Sequence, residues 1–544
     1  MSPNTQRRRL PPWQKALLGL VVTVAFFLAL ELILALCGVR PVLYEDDPCV
    51  GFAGNVPLFV EHTTPDGREV WRTANNKRRL FNLQEFARRK PPATVRIFSM
   101  GGSTTYGSPF DDGVSFCGWL RALLPLADPA RKWEVVNCGG LSYASYRVTH
   151  LMEELVRHEP DLFIVYCGHN EFLERRTYGK MLEAPGPLLR AAAAITRTHT
   201  GTVLKRALDA VRTRPAARRT ILPAEVEAEL DNTVGPERYH RDDEWSRQAV
   251  AHFRLNLARM ADIARAAGAR ILFVTPASNL KDCSPFKSEG AGDRDADAHY
   301  RAGQKLLAEG RYAEAREAFA RARDEDVCPL RATAPIVRTV AEVAAERRVA
   351  LVDFARLIDE RAPHGIPGRE HFLDHVHPTV SAHRLLALAI IDAMAGHGML
   401  ELSPGWSDAS VARVAEKVEA RIDDEARGVA LRNLAKVLGW AGKFEESRRL
   451  ALQAIELLGD DAESCFHVGV SAHLLGDSGQ AIACLRRAVA IGPGYGRAHF
   501  WLGEALAARG QREEAVAHYR QAAELLPDDP RPRERLAALA AQPQ

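Results

Sequence analysis

The sequence predicts an α/β protein: a parallel, five-stranded sheet, with an all-α repeat region behind it and one membrane-spanning helix ahead of it. Three observations carry this expectation. Short apolar, β-rich runs alternate with amphipathic helical stretches through the middle of the chain. A 34-residue period runs through the C-terminal part. An almost charge-free apolar run occupies residues 16–39.

The apolar run comes first in the chain. "ALLGLVVTVAFFLALELILALCGV" contains one charge, Glu31, and as a helix is about 36 Å long, enough to cross a hydrocarbon core of about 30 Å. Arg7, Arg8 and Arg9 precede it, so the N-terminus is expected inside and everything after residue 40 outside a cytoplasmic (inner) membrane, in a periplasm-like space. Glu31 lies in the outer half, where the interface or a partner helix can relieve its cost. A cleaved signal peptide fits less well, because the run is long and no A-x-A site follows. "LALC" hints at a lipoprotein site at Cys37, but Leu36 stands where a small residue is wanted.

The 544 residues call for two or three domains, and 47% apolar with 26% charged residues is ordinary for a globular chain. A net charge of +3 and the lack of a zinc spacing or nucleic-acid motif give no reason to expect nucleic acid, a metal or a cofactor. None of the nine cysteines forms C-x-x-C. Cys138 and Cys167 end predicted strands and read as small buried hydrophobes. Cys49, Cys283 and Cys328 lie elsewhere, and an extracytoplasmic location would let a pair of them oxidise.

Residues 41–93 read as linker. The α/β domain is expected over 94–395, with strands at "VRIFSM" (95–100), "WEVVNC" (133–138), "LFIVYC" (162–167), "RILFVT" (270–275) and "VALVDF" (349–354). Helices such as "FCGWLRALLPLA" and "WSRQAVAHFRLNLARMADIARAAGA" lie between them. Residues 175–240 interrupt the pattern. Within 186–220 they carry Arg190, Arg197, Lys205, Arg206, Arg212, Arg214, Arg218 and Arg219 against Asp209 alone, a solvated basic face or a cap on anionic lipid or an acidic polymer.

A helical connector (396–427) leads to the repeats (428–528) and a C-terminal tail (529–544). Gly442, Gly476 and Gly510 are 34 apart, as are Gly469 and Gly503, Ala481 and Ala515, and Pro493 and Pro527. This helix–turn–helix period resembles the tetratricopeptide repeat, whose concave face usually holds a protein segment. "GQKLLAEGRYAEAREAFARA" (303–322) has the same internal spacing, so one such hairpin is expected over 299–323, inside the α/β domain.

Ligands on parallel sheets bind beyond the C-terminal strand ends, so the chemistry is sought there. "GGSTTYG" follows the first strand. Gly102 and Gly107 have a phosphate-loop spacing, but Ser108 and Pro109 stand where Lys and Ser/Thr belong. G-x-G-x-x-G is absent, and Thr105 occupies the last glycine of a G-x-S-x-G elbow. Ser103 on a tight turn remains. A serine nucleophile needs a base, and the base an orienting carboxylate. "FLDHVHPTVSAH" after the fifth strand supplies Asp374 and His377, three apart; His371 and His375 read as surface residues. The developing oxyanion needs donors. "CGHNEFLE" after the third strand offers the Asn170 amide, and the turn in "NCGGLSYAS" after the second offers a backbone N–H. Singly, each residue has an ordinary use: Ser103, Asn170 and Asp374 as caps, His377 as a bystander before Pro378.

Together these strand ends resemble the SGNH (GDSL-type) hydrolase family over roughly 94–395. The resemblance implies a flavodoxin-like three-layer fold. It makes Ser103 the nucleophile, His377 the general base and then acid, and Asp374 its orienter. The oxyanion donors would be the Ser103 N–H, Asn170, and a backbone N–H from the second block, where counting from Asn137 reaches Ser142 while the nearest glycine is Gly140. The chain departs from the family at Gly102, where Gly-Asp-Ser-Leu has Asp, and at Glu171, where Asn is often followed by Asp.

The implied function is a membrane-anchored ester hydrolase acting outside the cytoplasmic membrane. It would remove acyl or acetyl groups from a lipid or envelope glycan through an acyl-enzyme at Ser103. An O-acyltransferase with the same site, and a repeat scaffold with a degenerate α/β domain, are the alternatives; the intact Ser, Asn, Asp and His set counts against the scaffold.

Overall fold

The computed structural model describes residues 11–37, 39, 57–173, 198–201, 203–204, 239–527 and 529–541. The basic residues of the 186–220 stretch, and Cys49, lie outside them. The apolar run folds as α1 (Pro12–Leu36), with Pro12 in the first turn, where its missing N–H costs nothing. Its length and composition suffice to cross a membrane. Glu31 accepts the backbone N–H groups of His199 and Thr200, each at 2.7 Å.

Residues 41–93 are not all linker. β1 (Phe59–Thr63), β2 (Glu69–Thr73) and β3 (Glu85–Ala87) form a sheet of order β1-β2-β3, with β2 and β3 antiparallel. A Pro65-Asp66-Gly67 turn joins the first two, closed by Gly67 N–H to Thr64 O (2.8 Å) and Thr64 N–H to Arg68 O (3.0 Å). The strands are short and interrupted by charge (Glu61 in "FVEHT", Glu69 and Arg72 in "EVWRT"), so they make no apolar run. Fully buried Arg96 ties β3 to the main sheet, donating to Ala87 O (2.8 Å), Glu134 Oε2 (2.7 Å) and His158 O (2.7 Å).

The main sheet contains β4 (Thr94–Gly101), β5 (Lys132–Gly139), β6 (Leu162–Tyr166), β7 (Arg270–Val274) and β8 (Ala350–Val352), in the order β5-β4-β6-β7-β8, all parallel. The chain leaves β4 for one neighbour and returns to the other. The switch point where parallel sheets bind ligands therefore lies between β4 and β6. Along β6, Leu162, Ile164 and Tyr166 join one core, while Phe163 turns to the opposite face and stacks on Phe98 (6.0 Å). β4 runs into the short α2 (Ser103–Tyr106). α3 (Phe116–Ala127) packs on one face, α4 (Ser145–Leu155) and α5 (Asp243–Ala266) on the other.

The expected internal hairpin is α6 (Ala296–Ala308) and α7 (Tyr312–Asp324). α8 (Ala334–Arg347) joins α5; α9 (Phe354–Arg361) and α10 (Val380–Gly396) complete the α3 side, where α11 (Asp408–Glu419) also packs. Three hairpins follow: α12 (Asp424–Trp440) with α13 (Phe444–Leu458), α14 (Ala462–Leu474) with α15 (Ser478–Ile491), and α16 (Gly496–Ala508) with α17 (Arg512–Leu525). Gly442, Gly476 and Gly510 take φ of 76°, 85° and 75° at the turns, the left-handed region that recurs because the turn recurs. Residues 529–544 are not all tail: α18 (Arg531–Ala541) packs Leu536 and Leu539 on the last repeat and covers its apolar end.

The first repeat is docked on the α/β domain. Leu373 sits among Leu434, Leu438 and Leu450, and Lys443 Nζ donates to Ser284 Oγ (2.7 Å) and lies 5.3 Å from the Phe286 ring centre. Cys283 and Cys328 are buried and share one core cluster.

Two buried histidines predict acid sensitivity. Burial first, and then neighbouring histidines, push His169 and His383 down to about 3. The Nδ1 atoms of both accept backbone N–H groups, from Ala332 (3.2 Å) and Phe116 (3.3 Å), which a protonated ring cannot do. The unfolded chain binds these protons below about 6.5, so the stabilisation is complete above that pH and is lost as pH falls toward 3. The slope is about 1.4 kcal/mol per pH unit per histidine. Urea midpoints are expected to fall between pH 6.5 and 5, above the range of ordinary carboxylates; flat midpoints there would contradict the assignment.

Candidate active site

Ser103 does not cap α2; Gly102 holds the N-cap position and Ser103 opens the helix. The turn is held from below. Asn137 Nδ2 donates to Thr105 O (2.9 Å) and Asp112 Oδ1 (2.6 Å), and Asn82 Nδ2 to Tyr106 O (2.8 Å). Asp112 Oδ2 collects Gln84 Nε2 (2.7 Å) and Arg121 Nη1 (2.6 Å), while Gln84 Oε1 accepts the Asn137 N–H (2.9 Å). Each of these polar groups is answered, which makes such a network rigid.

The Asp-x-x-His loop closes on itself. Leu373 N–H donates to His377 O (2.9 Å), and Phe372 bridges Pro378. Asp374 Oδ1 accepts the N–H groups of Val376 (2.9 Å) and His377 (2.8 Å), which leaves Oδ2 for His377 Nδ1 at 2.6 Å. On the other side of the ring, Nε2 lies 2.8 Å from Ser103 Oγ. The three groups form one hydrogen-bonded chain across 274 residues of sequence. Burial alone would push the Asp374 carboxyl up, but the His377 and His375 rings beside it hold it well below the usual carboxylate range.

His375 is not a surface residue. It is buried 3.4 Å from Asp374 Oδ2, edge-on to the Phe286 ring at 5.1 Å. His371 is half-buried.

Asn170 Nδ2 donates one hydrogen to Tyr143 O (3.1 Å), which fixes the amide. A Cβ built on Gly102 would stand 2.7 Å from that nitrogen. Thus the absence of a side chain at Gly102 makes room for this placement of Asn170. The two backbone candidates differ. The Gly140 N–H is engaged by Gly101 O (3.0 Å), whereas the Ser142 N–H has no hydrogen bond among the described residues. Ser142 holds φ of 60° in a turn closed by Tyr143 N–H to Gly140 O (3.1 Å), a strained conformation for a residue with a Cβ. Glu171 accepts the N–H (3.0 Å) and hydroxyl (2.6 Å) of Ser145, placing its charge at the start of α4.

Sequence reasoning missed Asn279. It follows β7, beyond which the sequence carries no catalytic motif. Its Nδ2 donates to Asp374 O (3.0 Å), its N–H to His375 O (3.0 Å), and its Oδ1 accepts the Asp282 N–H (3.0 Å). Gln84 was missed because its segment read as linker. Among the described residues, no His, Cys, Asp and Glu grouping has the make-up of a metal site.

Comparison with known proteins bears mainly on the helices. No curated protein matches the chain. Among solved structures it is similar to an acetyl xylan esterase, AlAXEase (10% identity over 55% of this chain and 99% of that one, TM-score 0.31). It is similar to TesA (16%, 55% and 98%, TM-score 0.26). It is also similar to the first TPR of Spaghetti (RPAP3) bound to an HSP90 peptide (19%, 22% and 94%, TM-score 0.21). The tetratricopeptide-repeat family model matches residues 288–330, 432–496 and 475–530. The C-terminal hairpins and the hairpin inside the α/β domain overlap the residues that this model matches.

Proposed function

We propose that the chain is a membrane-anchored serine ester hydrolase. The observation that carries this reading is the unbroken hydrogen-bonded chain from Ser103 Oγ through His377 to Asp374. Ser103 Oγ attacks the ester carbonyl carbon and passes its proton to His377 Nε2; Asp374 Oδ2 holds the ring and faces the imidazolium that forms. The carbonyl oxygen becomes an oxyanion, met by the N–H groups of Ser103 and Ser142 and by the second Asn170 N–H. As the C–O bond breaks, His377 returns the proton to the departing alcohol. Water repeats the sequence on the acyl-enzyme and releases the acid.

The substrate class is an acyl or acetyl ester on a lipid or envelope glycan. The repeats take a protein segment, and α1 holds the protein to the membrane with the catalytic domain outside.

The test uses the full chain in detergent: hydrolysis of a short-chain activated ester, and labelling by a fluorophosphonate. Neither occurring in the wild type would sink the reading and favour a scaffold. For orientation, a reporter active only in the periplasm, fused after residue 544, is expected to be active; a silent fusion that is well expressed contradicts the topology.

A further inference from the structure

The carboxylate that orients His377 also faces a second ring. Asp374 Oδ2 lies 2.6 Å from His377 Nδ1 and 3.4 Å from His375 Nδ1, and the two rings stand at 85° with their centres 5.9 Å apart. All three side chains are buried. His375 Nδ1 makes no hydrogen bond of ordinary geometry among the described residues, and the carboxylate it faces is that of Asp374.

We propose that His375 is a positioning residue for ester hydrolysis: with a hydrogen on Nδ1 it is a second donor to Asp374 Oδ2, and it limits how strongly that oxygen draws on the Nδ1–H of His377. The inference rests on the hydrolase reading and deepens it.

The ring is firmly seated. Asn279 N–H donates to His375 O and Asn279 Nδ2 to Asp374 O, each at 3.0 Å, so both residues are pinned at the backbone. Phe286 meets the ring edge-on at 5.1 Å. Phe286 is held in turn by Lys443, in the turn between α12 and α13, which donates to Ser284 Oγ (2.7 Å) and to Pro285 O and lies 5.3 Å from the Phe286 ring centre. The α/β domain and the first repeat therefore make the seat together.

Packing alone does not call for histidine here. A phenylalanine or a leucine would fill the space against Phe286 without bringing in a buried nitrogen that lacks a well-formed hydrogen bond, which is costly. What the nitrogen adds is its approach to Oδ2. Oδ1 is occupied by the N–H groups of Val376 and His377, so Oδ2 is the oxygen both rings address. Burial pushes the Asp374 carboxyl up, and the His377 ring and then the His375 ring more than offset it. Two donors on one oxygen weaken each other. His377 is thus held less firmly as imidazolium, and hands its proton more readily to the departing alcohol.

The other ionisable groups around the ring do not take its place. Asp282 and Arg369, on adjoining loops, and Lys443, Glu446 and Arg449, of the first repeat, line the space beside Asp374 and His375. Among the described residues none of them forms an ion pair with His375; Asp374 does. His169, beyond β6, is pushed by burial down to about 3 and stays neutral.

The experiment follows kcat/KM for a short-chain activated ester against pH, with the full chain in detergent and circular dichroism at each pH to confirm the fold. The acid limb of this profile reports the base of the free enzyme. His375→Phe keeps a ring against Phe286 and removes the donor. Oδ2 then draws on His377 alone, the imidazolium is held more firmly, and the limb is expected to move up by about one pH unit. His375→Leu, the second donor-free variant, is expected to move it the same way. His375→Asn puts an amide nitrogen where Nδ1 stood and is expected to return the limb to its wild-type position. A limb that stays in place in the Phe and Leu variants, or moves with Asn as it does with Phe, overturns the role of His375 and leaves the hydrolase reading standing. Loss of the native circular dichroism in both apolar variants makes the role structural and overturns the proposal as well. No hydrolysis by the wild type overturns the hydrolase reading, and this inference with it.

Discussion

Ser103→Ala is expected to abolish fluorophosphonate labelling and to lower ester turnover on the order of 10⁴–10⁶-fold. The change deletes one hydroxyl from a half-buried position whose fold partners are backbone atoms, so circular dichroism and the urea midpoint should stay near wild type. The loss is chemical: without Oγ, His377 Nε2 has no proton to take and the acyl group no covalent carrier. His377→Ala is expected to cost about as much, since the members of such a relay act as a unit. Asp374→Asn is a finer probe. Oδ1 already accepts two backbone N–H groups, so the amide nitrogen of the variant is driven toward His377 Nδ1. Two donors then face each other, the ring is held in the wrong tautomer, and turnover is expected to fall on the order of 10⁴-fold. Retention of labelling in Ser103→Ala would place the nucleophile elsewhere.

Asn170→Ala is expected to cost on the order of 10²–10³ in kcat with little change in KM, because the amide binds charge that exists only in the transition state. Its Nδ2 is anchored on Tyr143 O, so one hydrogen is spent and the other is left for the oxyanion. Gly102→Ala tests the same placement from the other side. The new methyl would stand 2.7 Å from Nδ2, so the amide has to move, and part of the Asn170 loss is expected to follow. In the Asn170→Ala background, Gly102→Ala is expected to add almost nothing, because the group it displaces is gone. Additive losses in that cycle would show that Gly102 acts by another route.

Much of the architecture is legible from local pattern. Five apolar β-rich runs mark the five parallel strands to within a residue or two, because a strand buried on both faces must be apolar at nearly every position. The repeats are legible because one turn geometry and one close helix approach recur: a Cβ on Gly469 would meet Leu485, and one on Gly503 would meet Tyr519, at corresponding places 34 residues apart. α1 is legible because crossing a hydrocarbon layer needs little more than length and apolarity. The three strands over 59–87 escaped because each is at most five residues long and carries a charge, which leaves no apolar run to detect.

Of the candidate site, local pattern named the members and their order: Ser103, the "NCGGLSYAS" turn and Asn170, each just past a strand, then Asp374 with His377 on the loop between α9 and α10. Parallel strands all end at the same edge, so residues that follow them share a rim whatever their separation in the chain. The partners came from the packing of the elements. It set the Ser142 N–H apart from that of Gly140, which the sheet edge engages, and buried His375 against Asp374. It also drew Gln84 and Asn279 beneath loops that lie far from them in sequence, and packed the first repeat against Leu373. The reason is the range of the forces. Strand, helix and turn preferences act over a few neighbouring residues, whereas a hydrogen bond has a direction and one partner, and that partner is chosen by how the elements pack.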